Sequence, residues 1–179
     1  GDGKSYSSST GSNEHNGDGN WVGDAWVSEG STLDATGAGH ADGNERYHYH
    51  ATPFSLYTDP STGHSVIIGY ALDGFPIYGP YGYTIATNSS SGTTRMVSSY
   101  QLRSITDRTI LPDASASTPP GPSVSVSFPL GTYVQDYEYV MGSGTLDEFN
   151  GRYCVTPEYP GGTYAYFLST DNSGDPQFP

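Results

Sequence analysis

The sequence predicts a mostly β fold, an antiparallel β-sandwich or jelly-roll-like barrel with long loops and at most one short helix, and three observations carry that expectation. No window of the 179 residues keeps apolar side chains at i, i+3, i+4 and i+7 through three turns without a Gly or Pro interrupting it. Eight short segments instead show β-branched or aromatic alternation between turn signals. Finally, 24 glycines and 13 prolines, about a fifth of the chain, favour tight turns over long helices.

Taken in order, residues 1–20 are rich in Gly, Ser and Asn and read as a flexible or extended N-terminal arm, with residues 21–179 as one β domain. Strands are expected at 46–51, 65–71, 76–78, 83–86, 124–128, 133–140, 152–155 and 163–169. Asp73-Gly74, Gly79-Pro80, Asn150-Gly151 and Pro160-Gly161-Gly162 supply turns between them. The single helical segment allowed for lies around 98–103. Residues 112–123 form a Pro/Ser/Thr-rich crossing expected to be extended and exposed, and there is no internal repeat of fixed period.

Charge narrows the function. Six basic residues against 19 acidic ones leave a formal charge of −13, with Lys4 the single lysine. Phosphate neutralisation needs clustered cations, so neither nucleic acid nor an anionic membrane surface is an expected partner. No stretch approaches the ~20 apolar residues of a membrane span. Sixteen Tyr, 6 Phe and 2 Trp supply the apolar area that disordered chains lack. The lysine-poor, Ser/Thr/Gly/Tyr-rich composition points to a secreted or cell-surface location, and the lone Cys154 excludes an internal disulfide.

Three of the five histidines, His40, His48 and His50, fall within eleven residues. On a strand, Tyr47-His48-Tyr49-His50 puts both imidazoles on one face and both phenols on the other. Two neutral imidazoles two residues apart converge as ligands of copper or zinc do, and His40, on a loop just upstream, is the natural third ligand of a site with an open position. His64 is a weaker fourth. The same pair also fits histidines hydrogen-bonded within a polar core. Tyr47 and Tyr49 are assigned packing roles.

These residues also carry a resemblance. Tyr47-His48-Tyr49-His50, preceded by Gly39-His40 and followed by Ile68-Gly69-Tyr70-Ala71-Leu72-Asp73-Gly74-Phe75-Pro76-Ile77-Tyr78-Gly79-Pro80-Tyr81-Gly82, resembles the YHYH-domain family of bacterial and algal proteins. The run from Asn150-Gly151-Arg152-Tyr153-Cys154 to Tyr164-Ala165-Tyr166-Phe167 is similar to the same family, as is Thr32-Leu33-Asp34. The family is defined by its signature and has no agreed activity. The resemblance implies that His48 and His50, with His40, are metal ligands. Asp73 would orient a ligand imidazole from behind, although an Asp-Gly turn explains it equally well. Relative to the family, the chain lacks a second cysteine at about the position of Phe149 and is expected to be clipped at both ends. Missing outer strands would leave sheet edges to which another chain adds a strand, so an extracellular filament or surface assembly is the leading alternative function.

Other signals are slighter. Asn88-Ser89-Ser90 is an N-glycosylation sequon on an expected loop. Asn16, Asp18, Asn20 and Asp24 are oxygen-rich but lack the Gly and terminal Glu of a calcium loop, so calcium ranks below copper and zinc. Gly-x-Ser-x-Gly does not occur, Cys154 lies in an expected strand, and Asp147 and Glu148 alternate faces, so catalysis is not the expected role. Tyrosines on a β scaffold can stack on sugar rings, which gives a carbohydrate-binding module as a third reading.

Overall fold

A computed structural model describes residues 3–34, 39–53, 55–60 and 62–178. In chain order the strands are β1 (Ser5–Ser7), β2 (Ser12–Glu14), β3 (Gly39–Ala41), β4 (Tyr47–Tyr49), β5 (Ile67–Tyr70), β6 (Pro76–Tyr78), β7 (Tyr81–Tyr83), β8 (Thr93–Arg95), β9 (Tyr100–Leu102), β10 (Tyr137–Tyr139), β11 (Gly151–Cys154) and β12 (Thr163–Phe167). One helix, α1 (Ala25–Glu29), precedes a 3-10 turn at Gly30–Thr32, and a second 3-10 turn spans Val134–Asp136. The chain divides into two units: residues 1–33 with 101–139, and residues 34–100 with 140–179.

In the first unit, β1 and β2 form an antiparallel hairpin with Tyr6 opposite Asn13. Asp24 starts α1 by accepting a hydrogen bond from the Val27 N–H (3.2 Å), so one otherwise unpaired donor of the first turn is satisfied. Trp21 is buried and its indole N–H donates to Ser117 Oγ (2.8 Å). The centre of this unit is an ion pair with no solvent exposure. Arg108 Nε lies 2.7 Å from Asp136 Oδ1, and Arg108 Nη2 lies 2.8 Å from Asp136 Oδ2. The guanidinium also donates to the carbonyls of Pro122 and Pro129 and lies 4.8 Å from the centre of the Tyr133 ring.

In the second unit, the main sheet has the order β11-β12-β6-β5. β12 pairs antiparallel with β11 and parallel with β6, and β5 pairs antiparallel with β6 through an irregular register at Ile67 and Gly69. The alternation of β12 buries Ala165 and Phe167 and leaves Tyr164 and Tyr166 half-buried on the opposite face. Phe167 stacks on Tyr78 at 5.6 Å, and with Met96, Leu146 and Cys154 they form the core of this unit. Each large apolar side chain so buried contributes about 2–3 kcal/mol.

The mostly β expectation holds, but the architecture is looser than a barrel. Among the described residues the strands form five small sheets, one of four strands and four of two, and no sheet closes on itself. Strands of three to five residues punctuated by Gly and Pro are too short to carry pairing around a barrel. Residues 98–103 are not helical: the centre of that segment is β9, paired with β10. The helix lies instead at α1, where five residues are too few to show a helical period. Residues 124–128 form bends, the strand expected at 83–86 sits earlier, at β7, and the 112–123 crossing is mostly exposed but anchors buried Ser117. No helix among the described residues is long and apolar enough to cross a membrane.

Candidate metal centre

The β3–β4 hairpin, in the second unit, positions three imidazoles. Its register sets Gly39 opposite Tyr49, His40 opposite His48 and Ala41 opposite Tyr47. Directly opposed residues share a face, as do residues two apart on one strand, so His40, His48 and His50 fall on one side and Tyr47 and Tyr49 on the other. His40 is thus a strand residue paired to His48 rather than a loop ligand. The phenol rings pack edge to face at 5.3 Å, and the Tyr47 hydroxyl donates to Asp34 Oδ2 (2.5 Å). Gly39 is buried against this pair, where a side chain would collide with the backbone.

The loop between the strands holds that register. Asp42 Oδ1 accepts from the N–H groups of Asn44 (2.8 Å) and Arg46 (2.9 Å), and Asp42 Oδ2 pairs with the Arg46 guanidinium (2.7 Å). The Arg46 backbone and side-chain donors hold the Asp42 carboxyl at about 2. Glu45 adopts φ 63°, the left-handed residue that closes a three-residue hairpin loop. Asp42-Gly43, a turn dipeptide between two histidine-bearing segments, is a signal from which the hairpin could have been found, and it was not among the expected turns.

His50 Nε2 lies 2.8 Å from His48 Nε2 and 3.1 Å from His40 Nε2. The ring centres are 4.5 to 5.0 Å apart, and all three side chains are half-buried. His48 Nδ1 is 3.2 Å from the Arg46 carbonyl. A carbonyl can only accept, so Nδ1 carries the proton and Nε2 presents its lone pair to the cluster.

Three converging imidazole nitrogens fit a cation better than one another, since a single shared proton can bridge only two of them at a time. The ligand atoms of the three histidines all lie within 4.8 Å of one another, a spacing at which they could hold a metal ion.

The remaining candidates lie elsewhere. His64 is buried in the core against Tyr78, Tyr83 and Phe167, with Nδ1 2.9 Å from the Ser65 carbonyl, and burial lowers its pKa. His15 is exposed in the first unit. Asp73 accepts from the Tyr166 hydroxyl (2.5 Å) and from the Phe75 N–H (3.1 Å) at its Asp-Gly turn. Asn88 is exposed on a turn, its Oδ1 accepting from the Ser90 N–H. Asp18 accepts from the Ser8 N–H, Asn20 donates to the Thr118 carbonyl, and Asp24 caps α1. Asp147 accepts from the Tyr164 hydroxyl and from the N–H groups of Phe149 and Gly151, which is a turn role. Cys154 is fully buried, and burial pushes its thiol up.

A family model described as "YHYH protein" matches residues 1–175 of the 179. The chain therefore belongs to the YHYH family, whose name-giving run is β4 with His50. Neither a curated protein nor a solved structure matches the chain.

Proposed function

We propose that this YHYH-family chain, acting outside the cell, binds one divalent transition-metal ion through Nε2 of His40, His48 and His50. The observation that carries this reading is the 2.8 and 3.1 Å spacing of the three nitrogens on one face of a two-stranded hairpin. Imidazole nitrogens suit copper(II) and zinc(II) alike, and copper is the ion whose spectrum reports its ligands. Any position on the ion that the histidines leave exchangeable would let it supply Lewis-acid or redox chemistry. The residues themselves orient the ion: the β3–β4 register fixes His40 against His48, and the Arg46 carbonyl fixes the tautomer of His48.

Elemental analysis after copper loading and desalting tests the reading. The unaltered chain should retain close to one equivalent, and His48→Ala/His50→Ala should lose it. Equal retention by both would remove the ligand assignment.

A second reading, assembly by strand addition, is supported by the outer position of β5 and β11 in the main sheet and by the apolar character of Ile67–Tyr70. Electron microscopy of native material should then show fibres, and single particles at high concentration would count against it.

A further inference from the structure

A cavity of about 520 Å³ lies within the same unit, and His50, alone of the three cluster histidines, forms part of its wall. Its other walls include Tyr49, Leu56, Ile67, Ile77 and Leu168. Gly69, opposite Ile77 on β5, leaves the wall without a side chain: a Cβ there would meet nothing within 4 Å. The volume is that of a small-molecule pocket rather than a packing defect.

The chemistry of the wall selects the occupant. None of the described residues that line it is Asp, Glu, Lys or Arg. A charged body would be desolvated there without a counter-charge. The Asn150 amide, also in the wall, already donates to the Phe167 carbonyl and to Ser169 Oγ (both 2.9 Å). Thr52, Tyr57, Ser169 and Gln177 add neutral polar groups to the wall, and His50 is its one histidine, a ligand of the proposed ion. A formal charge of −13 on the chain further disfavours anionic occupants.

We propose that the cavity receives a small organic molecule with an uncharged aromatic or aliphatic body and a single neutral donor head that takes an open position on the metal. This rests on the three-histidine metal reading and deepens it, because the histidines alone specify an ion but no ligand. The metal would hold the head, and the apolar walls would choose the body.

The test uses copper-loaded full chain, with copper content measured first, and follows the copper visible and electron paramagnetic resonance spectra on titration. The probes are imidazole, which is a head alone, and 4-phenylimidazole, which adds an apolar ring. The phenyl probe should bind at least about tenfold tighter, since its ring leaves water for the cavity. Gly69→Phe, which fills the open wall, should abolish that advantage while preserving copper content and imidazole affinity. Gly69→Ile is the smaller variant, and should reduce the advantage in part. Equal affinities for the two probes at one equivalent of copper, or an advantage that survives both substitutions, would overturn the pocket and leave the metal site standing. A chain that takes up no copper would fail at the first measurement, and both readings would fall.

Discussion

Gly39→Ala is the sharpest single-atom test of whether the hairpin register builds the metal centre. A Cβ on residue 39 would stand 2.4 Å from the His48 carbonyl oxygen and 3.0 Å from one ring carbon each of Tyr47 and Tyr49. The rings can rotate, but the carbonyl belongs to the β4 backbone. Carbon–oxygen contacts settle at about 3.3–3.6 Å, so β3 must retreat from β4 by roughly 1 Å. His40 is the next residue and moves with it, whereas ligand sites tolerate displacements of only about 0.5 Å. Losing the position of one of three ligands should weaken copper binding roughly 10- to 100-fold, the range measured when groups that orient metal ligands are removed. Gly43→Ala is the control: it lies in the loop of the same hairpin, and its added Cβ would meet nothing within 4 Å. Competition against a chromophoric chelator measures both affinities. If Gly39→Ala binds copper within about threefold of the unaltered chain, or Gly43→Ala loses as much, the register does not determine the site.

Two further expectations concern the interior of each unit. Asp136→Asn leaves the Arg108 guanidinium buried without its counter-charge and should destabilise the first unit by about 3–5 kcal/mol; urea unfolding followed by the emission of buried Trp21 reads the change, and a loss below about 1 kcal/mol would contradict it. His64 titrates below its ordinary value mainly because it is buried, with Arg152 acting in the same direction and the Ser65 carbonyl, Glu158 and Asp59 opposing. The unfolded chain therefore takes up this proton first, so the neutral ring's contribution to stability is complete above about pH 6.5 and is lost as pH falls, by at most about 1.4 kcal/mol per pH unit. Urea midpoints at pH 7 and pH 5 should differ more for the unaltered chain than for His64→Gln, and equal differences would show that His64 does not titrate as described.

The sequence carried the face but not the register. Period two in residues 47–50 was enough to place His48 and His50 together, because alternation depends only on the local backbone. The contribution of His40 depended on which residue of β3 meets His48, and that choice is made by Asp42, Glu45 and the absence of a side chain at Gly39, each interpretable only once the two strands are paired. Separation in sequence concealed more. Arg108 and Asp136 lie 28 positions apart, and nothing near either residue announces the pair. The parallel contact of β12 with β6 joins segments nearly ninety residues apart, and local alternation, which suggests a mostly antiparallel domain, carries no sign of it. Closure was overestimated for a related reason: eight strand-like segments suggest a barrel only if each can pair along most of its length, and three-residue strands cannot.

The size of the hairpin bears on what the metal would do for the protein. β3 and β4 form a sheet of their own, three residues to a strand, outside the four-stranded sheet of the same unit. A two-stranded hairpin of that length is marginal in water. An ion held from both strands closes the hairpin, and its binding free energy adds directly to the stability of the folded register, about 4 kcal/mol when free metal stands at 1,000 times its dissociation constant. Structural and chemical roles are therefore coupled at this site. The same bonds that would give His50 a Lewis-acidic neighbour would also hold Tyr49 and His50 in the wall of that cavity. Removal of the metal should loosen the hairpin and the cavity wall at Tyr49 and His50 together, while the core around Tyr78 and Phe167, which includes no cluster histidine, retains its packing.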